Sequence, residues 1–190
     1  MKTELLRKVF HLLCLTYLAG YHWIGLNPTL LILGAFILLE ACVEAARLKL
    51  PRFNEALISF FGGIHREEER HAVSGILWTA TGCWLTLFFF GSRPVIVDAG
   101  ILCLAFGDLA AALVGKGIGR VHIGMFGRRK TLEGSLACFA VCAAVALWLG
   151  FGLPAALLAA AVATAIELFP VPLNDNLWLP LGAALVLSFW

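Results

Sequence analysis

The chain reads as an all-α, polytopic transmembrane helix bundle of about seven helices with a cytoplasmic amino terminus. Three observations carry that reading. Hydrophobic residues fill 61% of the 190 positions, and charged residues only 14%, against about 25% in a soluble domain. Mean hydropathy is +0.92. The apolar residues also fall into runs of helix-spanning length, and no single aqueous core of this size could hide them. A soluble enzyme, a disordered region, a collagen-like fibre and a nucleic-acid binder are all poor fits. The net charge of +2 is too small to imply a polyanionic partner.

The runs cover about 5–25, 28–47, 72–91, 94–114, 132–150, 154–170 and 176–190, within one integral membrane domain, 1–190. Turn signals separate most of them: Asn27-Pro28, Gly91-Ser92-Arg93-Pro94, and Gly150 to Pro154. The first run follows basic residues without a small-x-small cleavage site, so it reads as an uncleaved span. Polar segments at 48–71 and 115–131 read as cytoplasmic loops. With the amino terminus inside, every Lys and Arg except Arg93 falls on the inner side, as the positive-inside rule requires. The last run is short: fifteen residues rise about 22 Å against a core of about 30 Å. The cysteines lie inside apolar runs without a CxxC pair and read as small packing residues.

In this topology the costly polar residues gather at the cytoplasmic ends. Arg7 and His11 share a helix face, with Lys8 beside them, and Glu40, Glu44 and Arg47 form a second stripe. Asp108 lies near the inner end of the fourth run, Glu133 begins the fifth, and Glu167 closes the sixth. Ionisable groups at membrane depth mark a functional interior or a water-filled cavity. A transporter would spread them across the whole depth, whereas here they stop near the inner half. The segment His65, Glu67, Glu68, Glu69 and His71 reads as a charge-mixed surface stretch rather than a metal site, and Asp98 as a helix-start residue beside Arg93.

The richest stretch runs from Gly107-Asp108 through Gly115-Lys116-Gly117 and Gly119-Arg120 to Gly127-Arg128-Arg129-Lys130-Thr131-Leu132-Glu133-Gly134-Ser135. Glycines let a backbone approach phosphate oxygens as a nest of N–H donors, and basic side chains balance a polyphosphate's charge. Thr131 suits a helix cap. Asp108 and Glu133 flank the loop and suit Mg²⁺, which needs only one or two carboxylates beside phosphate oxygens and water. The P-loop pattern fails, because Ala110 stands where its first Gly belongs and Gly117 follows Lys116. A Rossmann fingerprint fails because an apolar helix precedes the loop. A basic loop touching anionic headgroups would explain the Lys and Arg, but not the glycines and flanking acids.

Together these residues resemble the CTP-dependent membrane lipid kinases: dolichol kinase, phytol kinase and the yeast-type diacylglycerol kinase. The resemblance runs through Arg7-Lys8-x-x-His11, Glu44-x-x-Arg47, Glu69 with His71-x-x-Ser74-Gly75, and Gly107-Asp108 to Arg120. It continues through Lys130-Thr131-x-Glu133-Gly134-Ser135, and Glu167 with Asn174-Asp175-Asn176-Leu177 and Pro180. The family usually carries Asp where this chain has Asn174. The Asp108 to Gly134 portion also resembles phosphatidate cytidylyltransferase, whose carboxy-terminal signature is missing from this sequence.

The resemblance implies CTP as phosphoryl donor, a membrane lipid alcohol as acceptor, and a site facing the cytoplasm. The nucleotide would then be held by Gly107, Gly115, Lys116, Gly117, Gly119, Arg120, Arg129, Lys130, Thr131, Glu133, Gly134 and Asn176. Mg²⁺ would be held by Asp108 with Glu133 or Asp175, the transferring group would be stabilised by Arg7 and Lys8, and the general base would be His11 or Asp108. The alternatives are a cytidylyltransferase that transfers the α-phosphoryl group, a transporter and a structural scaffold.

Overall fold

In an apolar setting the backbone's N–H and C=O groups must satisfy one another, and a helix does this within each segment. The computed structural model describes residues 12–60, 72–125, 128–169 and 171–190. Helix α1 (Cys14–Ile24) turns into α2 (Leu26–Lys49) at Gly25, whose φ of 90° suits glycine. Next come α3 (Pro51–Phe60) and α4 (Gly75–Phe90). Helix α5 (Pro94–Leu102) passes through a π turn, Cys103–Gly107, into α6 (Asp108–Gly117). Strands β1 (His122–Met125) and β2 (Arg128–Thr131) then pair antiparallel, with His122 opposite Thr131 and Ile123 opposite Lys130. Helices α7 (Leu132–Trp148), α8 (Leu153–Leu168) and α9 (Asp175–Leu187) complete the chain's described elements.

The helical class holds, and the helices lie along the apolar runs. Leu26–Lys49 and Pro94–Gly117, 24 residues each, are long and apolar enough to cross a membrane. The apolar helices Gly75–Phe90, Leu132–Trp148, Leu153–Leu168 and Asp175–Leu187 are shorter. Both polar segments contain structure that the sequence reading left as loop. Within 48–71, Pro51 opens α3, because a proline at the first helical position loses no hydrogen bond. Within 115–131, the chain forms the β1–β2 hairpin. Residues 65–71, with their His and Glu cluster, lie outside the described residues.

Packing places small residues inside and large ones outside. Along α8, Ala155, Ala156, Ala159, Ala160 and Ala163 are buried while Leu157 and Leu158 face outward. Leu31, Ile32, Leu38 and Leu39 are likewise exposed on α2. Helices that meet through small side chains and present Leu and Phe outward are built for hydrocarbon surroundings. The cysteines are all free thiols, and each except Cys42 is buried.

Polar contacts gather at the two ends of α4. At one, the Tyr21 hydroxyl donates to the Gly91 carbonyl at 2.8 Å, and His22 Nε2 lies 2.6 Å from Asp98 Oδ1. Asp98 therefore pairs with α1. Arg93, expected beside it, instead donates to the Ser188 carbonyl past the end of α9, at 2.6 Å. A guanidinium so placed satisfies a carbonyl left open where the helix stops.

At the opposite end, Arg47 grips Glu44 with two parallel hydrogen bonds of 2.8 and 2.7 Å, both side chains buried. Arg47 also donates to the Ala72 carbonyl at 2.6 Å, and Glu44 accepts from the Ser74 amide at 2.9 Å. The pair thus fastens the start of α4 to the end of α2. Replacing Arg47 with Ala strands a buried carboxylate, which should destabilise the protein by about 3–5 kcal/mol in detergent unfolding. Arg47→Lys should fall between, since an ammonium lacks the planar fork.

Candidate active site

The same end collects the acids and bases of four further elements. Lys130, leaving the hairpin on β2, reaches across to Glu167 at the end of α8 and forms a short hydrogen-bonded ion pair with it. Asp175, in the first turn of α9, lies 3.5 Å from the same ammonium. Ser135, on α7, donates to the other Glu167 oxygen at 3.3 Å. Asp108, buried at the start of α6, adds to the field at Lys130. Burial alone would lower the Lys130 pKa, but attraction to Glu167, Asp175 and Asp108, with the Glu167 hydrogen bond, raises it instead. Lys130 is therefore a fixed cation within an acidic cluster, rather than a side chain extended toward solvent.

The loop above is held by Glu133. Its carboxylate accepts from the backbone amides of Arg120 at 3.0 Å and Val121 at 3.2 Å. Thr131 caps α7, its hydroxyl accepting from the Gly134 amide at 3.2 Å. Several glycines have a packing reason. A Cβ on Gly115 would come within 2.7 Å of Thr131 Oγ1, and one on Gly134 within 2.7 Å of the Ala111 carbonyl oxygen. A Cβ on Gly119 would meet the Gly115 carbonyl oxygen at 2.2 Å. Gly117 alone of this group faces open space. Lys116 and Arg120 are exposed beside it.

The structure thus brings together Asp108, Lys130 and Asp175 among the residues expected from sequence. It adds Glu167 and Ser135 as their buried supports; the signal for both was already present in the family-like motifs. Glu133 is turned to the loop amides. Arg128 and Arg129 lie on β2, while Arg7, Lys8 and His11 lie outside the described residues. Among the described residues no three His, Cys, Asp or Glu side chains form a ready metal cluster. Asn174 caps α9, its side chain accepting from the Asn176 amide at 3.0 Å. Leu173, just before it, takes a left-handed φ of 68°, a strained turn beneath which the Trp178 indole donates to the Pro172 carbonyl at 2.7 Å.

A helical bundle with an acid–lysine cluster under a basic, glycine-containing loop is an arrangement suited to phosphate chemistry. Sequence comparison gives it relatives. The chain is 30% identical over 156 residues to the CTP-dependent diacylglycerol kinase 1 of Saccharomyces cerevisiae, covering 80% of this chain and 51% of that protein. It is 29% identical over 160 residues to the protein of the same name from Eremothecium gossypii, covering 81% and 49%. It is 36% identical over 126 residues to the phytol kinase of Synechocystis sp., covering 62% and 54%. The chain is homologous to the CTP-dependent lipid kinases, as its motifs implied. It spans about half the length of the curated relatives it matches. No protein-family model and no solved structure matches it.

Glu133 ties α7 to the amides at 120 and 121 beside one backbone bond, from the Leu132 amide to the Val121 carbonyl, so Glu133→Ala should loosen that loop. Amide hydrogen exchange at Arg120 and Val121 should quicken while exchange along α8 stays unchanged. Equal protection in both proteins would mean that the hairpin holds the loop unaided.

Proposed function

We propose that the protein transfers the γ-phosphoryl group of CTP to the hydroxyl of a membrane lipid alcohol, such as diacylglycerol, phytol or a polyprenol. The reading takes the chain as one membrane domain of about seven crossings, with the site at the cytoplasmic interface. One observation carries it furthest: Asp108, Lys130, Glu167 and Asp175, from four separate elements, converge at one end of an apolar bundle. A soluble nucleotide and a lipid headgroup can meet at such an end. The names of the relatives support CTP as donor, with diacylglycerol and phytol as acceptor classes.

Phosphoryl transfer asks chiefly for positioning and charge neutralisation. The lipid hydroxyl oxygen bonds to the γ-phosphorus as the bond to the β–γ bridging oxygen breaks, and CDP leaves. The hydroxyl proton passes to Asp108 or His11. Lys116, Arg120 and Arg129 take the triphosphate with the backbone at Gly117, and Asn176 borders it. Arg7 and Lys8 stabilise the group in transit. Lys130 fixes the spacing of Glu167 and Asp175.

The residues fit Mg²⁺ in one arrangement. Asp175 lies 3.5 Å from Lys130, Asp108 is near enough to act on its charge, and both are of the hard oxygen type that Mg²⁺ takes in ones or twos. Glu133 fits less well, because backbone amides already engage its oxygens. Bound there, the ion would neutralise charge on the transferring group.

The reading is tested with purified protein, Mg²⁺ and a panel of diacylglycerol, phytol, dolichol and undecaprenol, with phosphatidate as competing substrate. CTP is labelled at the γ position in one arm and at the α position in the other. Label reaching an alcohol only from the γ position is the expected result. Label reaching phosphatidate from the α position would make the protein a cytidylyltransferase. Asp108→Asn should abolish transfer in folded protein. Lys116→Ala and Arg120→Ala should each raise the CTP KM about tenfold or more with kcat little changed, the loss of one charge-assisted contact.

A further inference from the structure

The rod Pro94–Gly117 is interrupted at one place, and Asp108 is the first residue after the interruption. A π turn holds one residue more than an α turn, so everything beyond it is rotated by about 100° relative to an unbroken α-helix. Without the turn, the Asp108 side chain would leave the helix on another face, away from Lys130. Such a turn is rare and gains nothing by itself, so something must hold it.

Cys142, on α7, lies against it. Its thiol donates to the Cys103 carbonyl at 3.8 Å, and the Cys103 thiol donates back to the Cys142 carbonyl at 3.8 Å. Cys103 opens the π turn, so this reciprocal pair fastens the first residue of the turn to the facing helix. At its last residue, Gly107, a Cβ would come within 2.6 Å of Cys142 Sγ and 3.4 Å of Cys138 Sγ. Each thiol bond is weak. Both partners are fully buried, however, and in that position even a weak donor has no competing water.

We propose that Cys142, seated against Gly107 and latched to Cys103, holds the π turn that aims Asp108 into the acid–lysine cluster. Cys142 is then a positioning residue for phosphoryl transfer. This rests on the proposed reading of Asp108 as part of the reacting site. Serine keeps a donor at position 142, alanine removes it, and Gly107→Ala pushes the thiol away from the other side.

The test uses the full chain in detergent and two measurements. In the first, kcat and the CTP KM are determined for Cys142→Ala, Cys142→Ser and Gly107→Ala, each per mole of folded protein. A displaced reacting group costs up to about 100-fold in rate, so Cys142→Ala and Gly107→Ala should lose most of kcat. The CTP KM of Cys142→Ala should stay near native, and Cys142→Ser should restore most of the rate. Native kcat in Cys142→Ala, or a serine no better than alanine, would overturn the proposal. The second measurement does not depend on activity: melting temperatures for a double-mutant cycle of Cys142→Ala with Asp108→Asn. If the latch places Asp108, the shift caused by Asp108→Asn should largely vanish once Cys142 is alanine. Additive shifts would overturn the proposal, whether or not the protein transfers phosphate from CTP. A native protein with no transfer but a coupled cycle would instead sink the functional reading alone.

Discussion

A charged group taken out of water must find its opposite, or the fold cannot keep it. Lys130 meets that condition through residues far from it in sequence, Glu167 and Asp175, with Asp108 close by. Much of the local architecture serves this meeting. The hairpin returns the chain so that Lys130 leaves β2 immediately before α7. The turn between α8 and α9 brings Glu167 and Asp175 to the same height. Ser135 supplies the hydrogen bond that fills the remaining side of Glu167. Removing Lys130 would leave the carboxylates around it as uncompensated charge, so the cluster depends on that one cation.

The glycines illustrate two demands that a sequence cannot separate. A run of glycines beside basic residues is what a phosphate cradle needs, and also what two helices need to approach closely. The positions divide. Gly115, Gly119 and Gly134 surround Thr131 so tightly that any side chain there would collide with its neighbours. Gly117 has no such neighbour, so steric crowding does not account for it. If the loop does cradle phosphate, Gly117 is the position where that function rather than packing sets the residue. Gly115 and Gly134 act through the Thr131 cap they allow to form.

The helices were legible because hydrophobicity is a local property: an apolar run declares itself without knowing its partners. The hairpin was not, because each strand is only four residues long and Arg-Arg-Lys-Thr holds no apolar residue to set a period of two. The α3 helix was missed for a related reason: it is short and exposed, with none of its residues buried. In the site, Asp108, Lys130 and Asp175 could be named from motif spacing, but their assembly could not. Lys130 and Glu167 are 37 residues apart, and only folding decides that they touch. The same holds for Asp98, whose partner His22 lies 76 residues away. Glu133 shows the limit on the other side, since a carboxylate at a loop edge suits a metal and a pair of backbone amides equally well on paper.

Asn174 stands where relatives of this kind are expected to have an acid, which would count against the site if that acid had to reach a ligand. The fold gives the position another task. Asn174 has an extended backbone and its side-chain oxygen accepts from the Asn176 amide, closing the first turn of α9. Asn and Asp perform that task about equally well, so the exchange costs the helix start nothing. The acid that does face the cluster is the next residue, Asp175, placed by the cap before it and held at 3.5 Å from Lys130. Strain at Leu173 and the Trp178 indole bond to Pro172 fix the turn that leads into this cap. The departure at Asn174 therefore touches the device that positions the acid and leaves the acid itself in place.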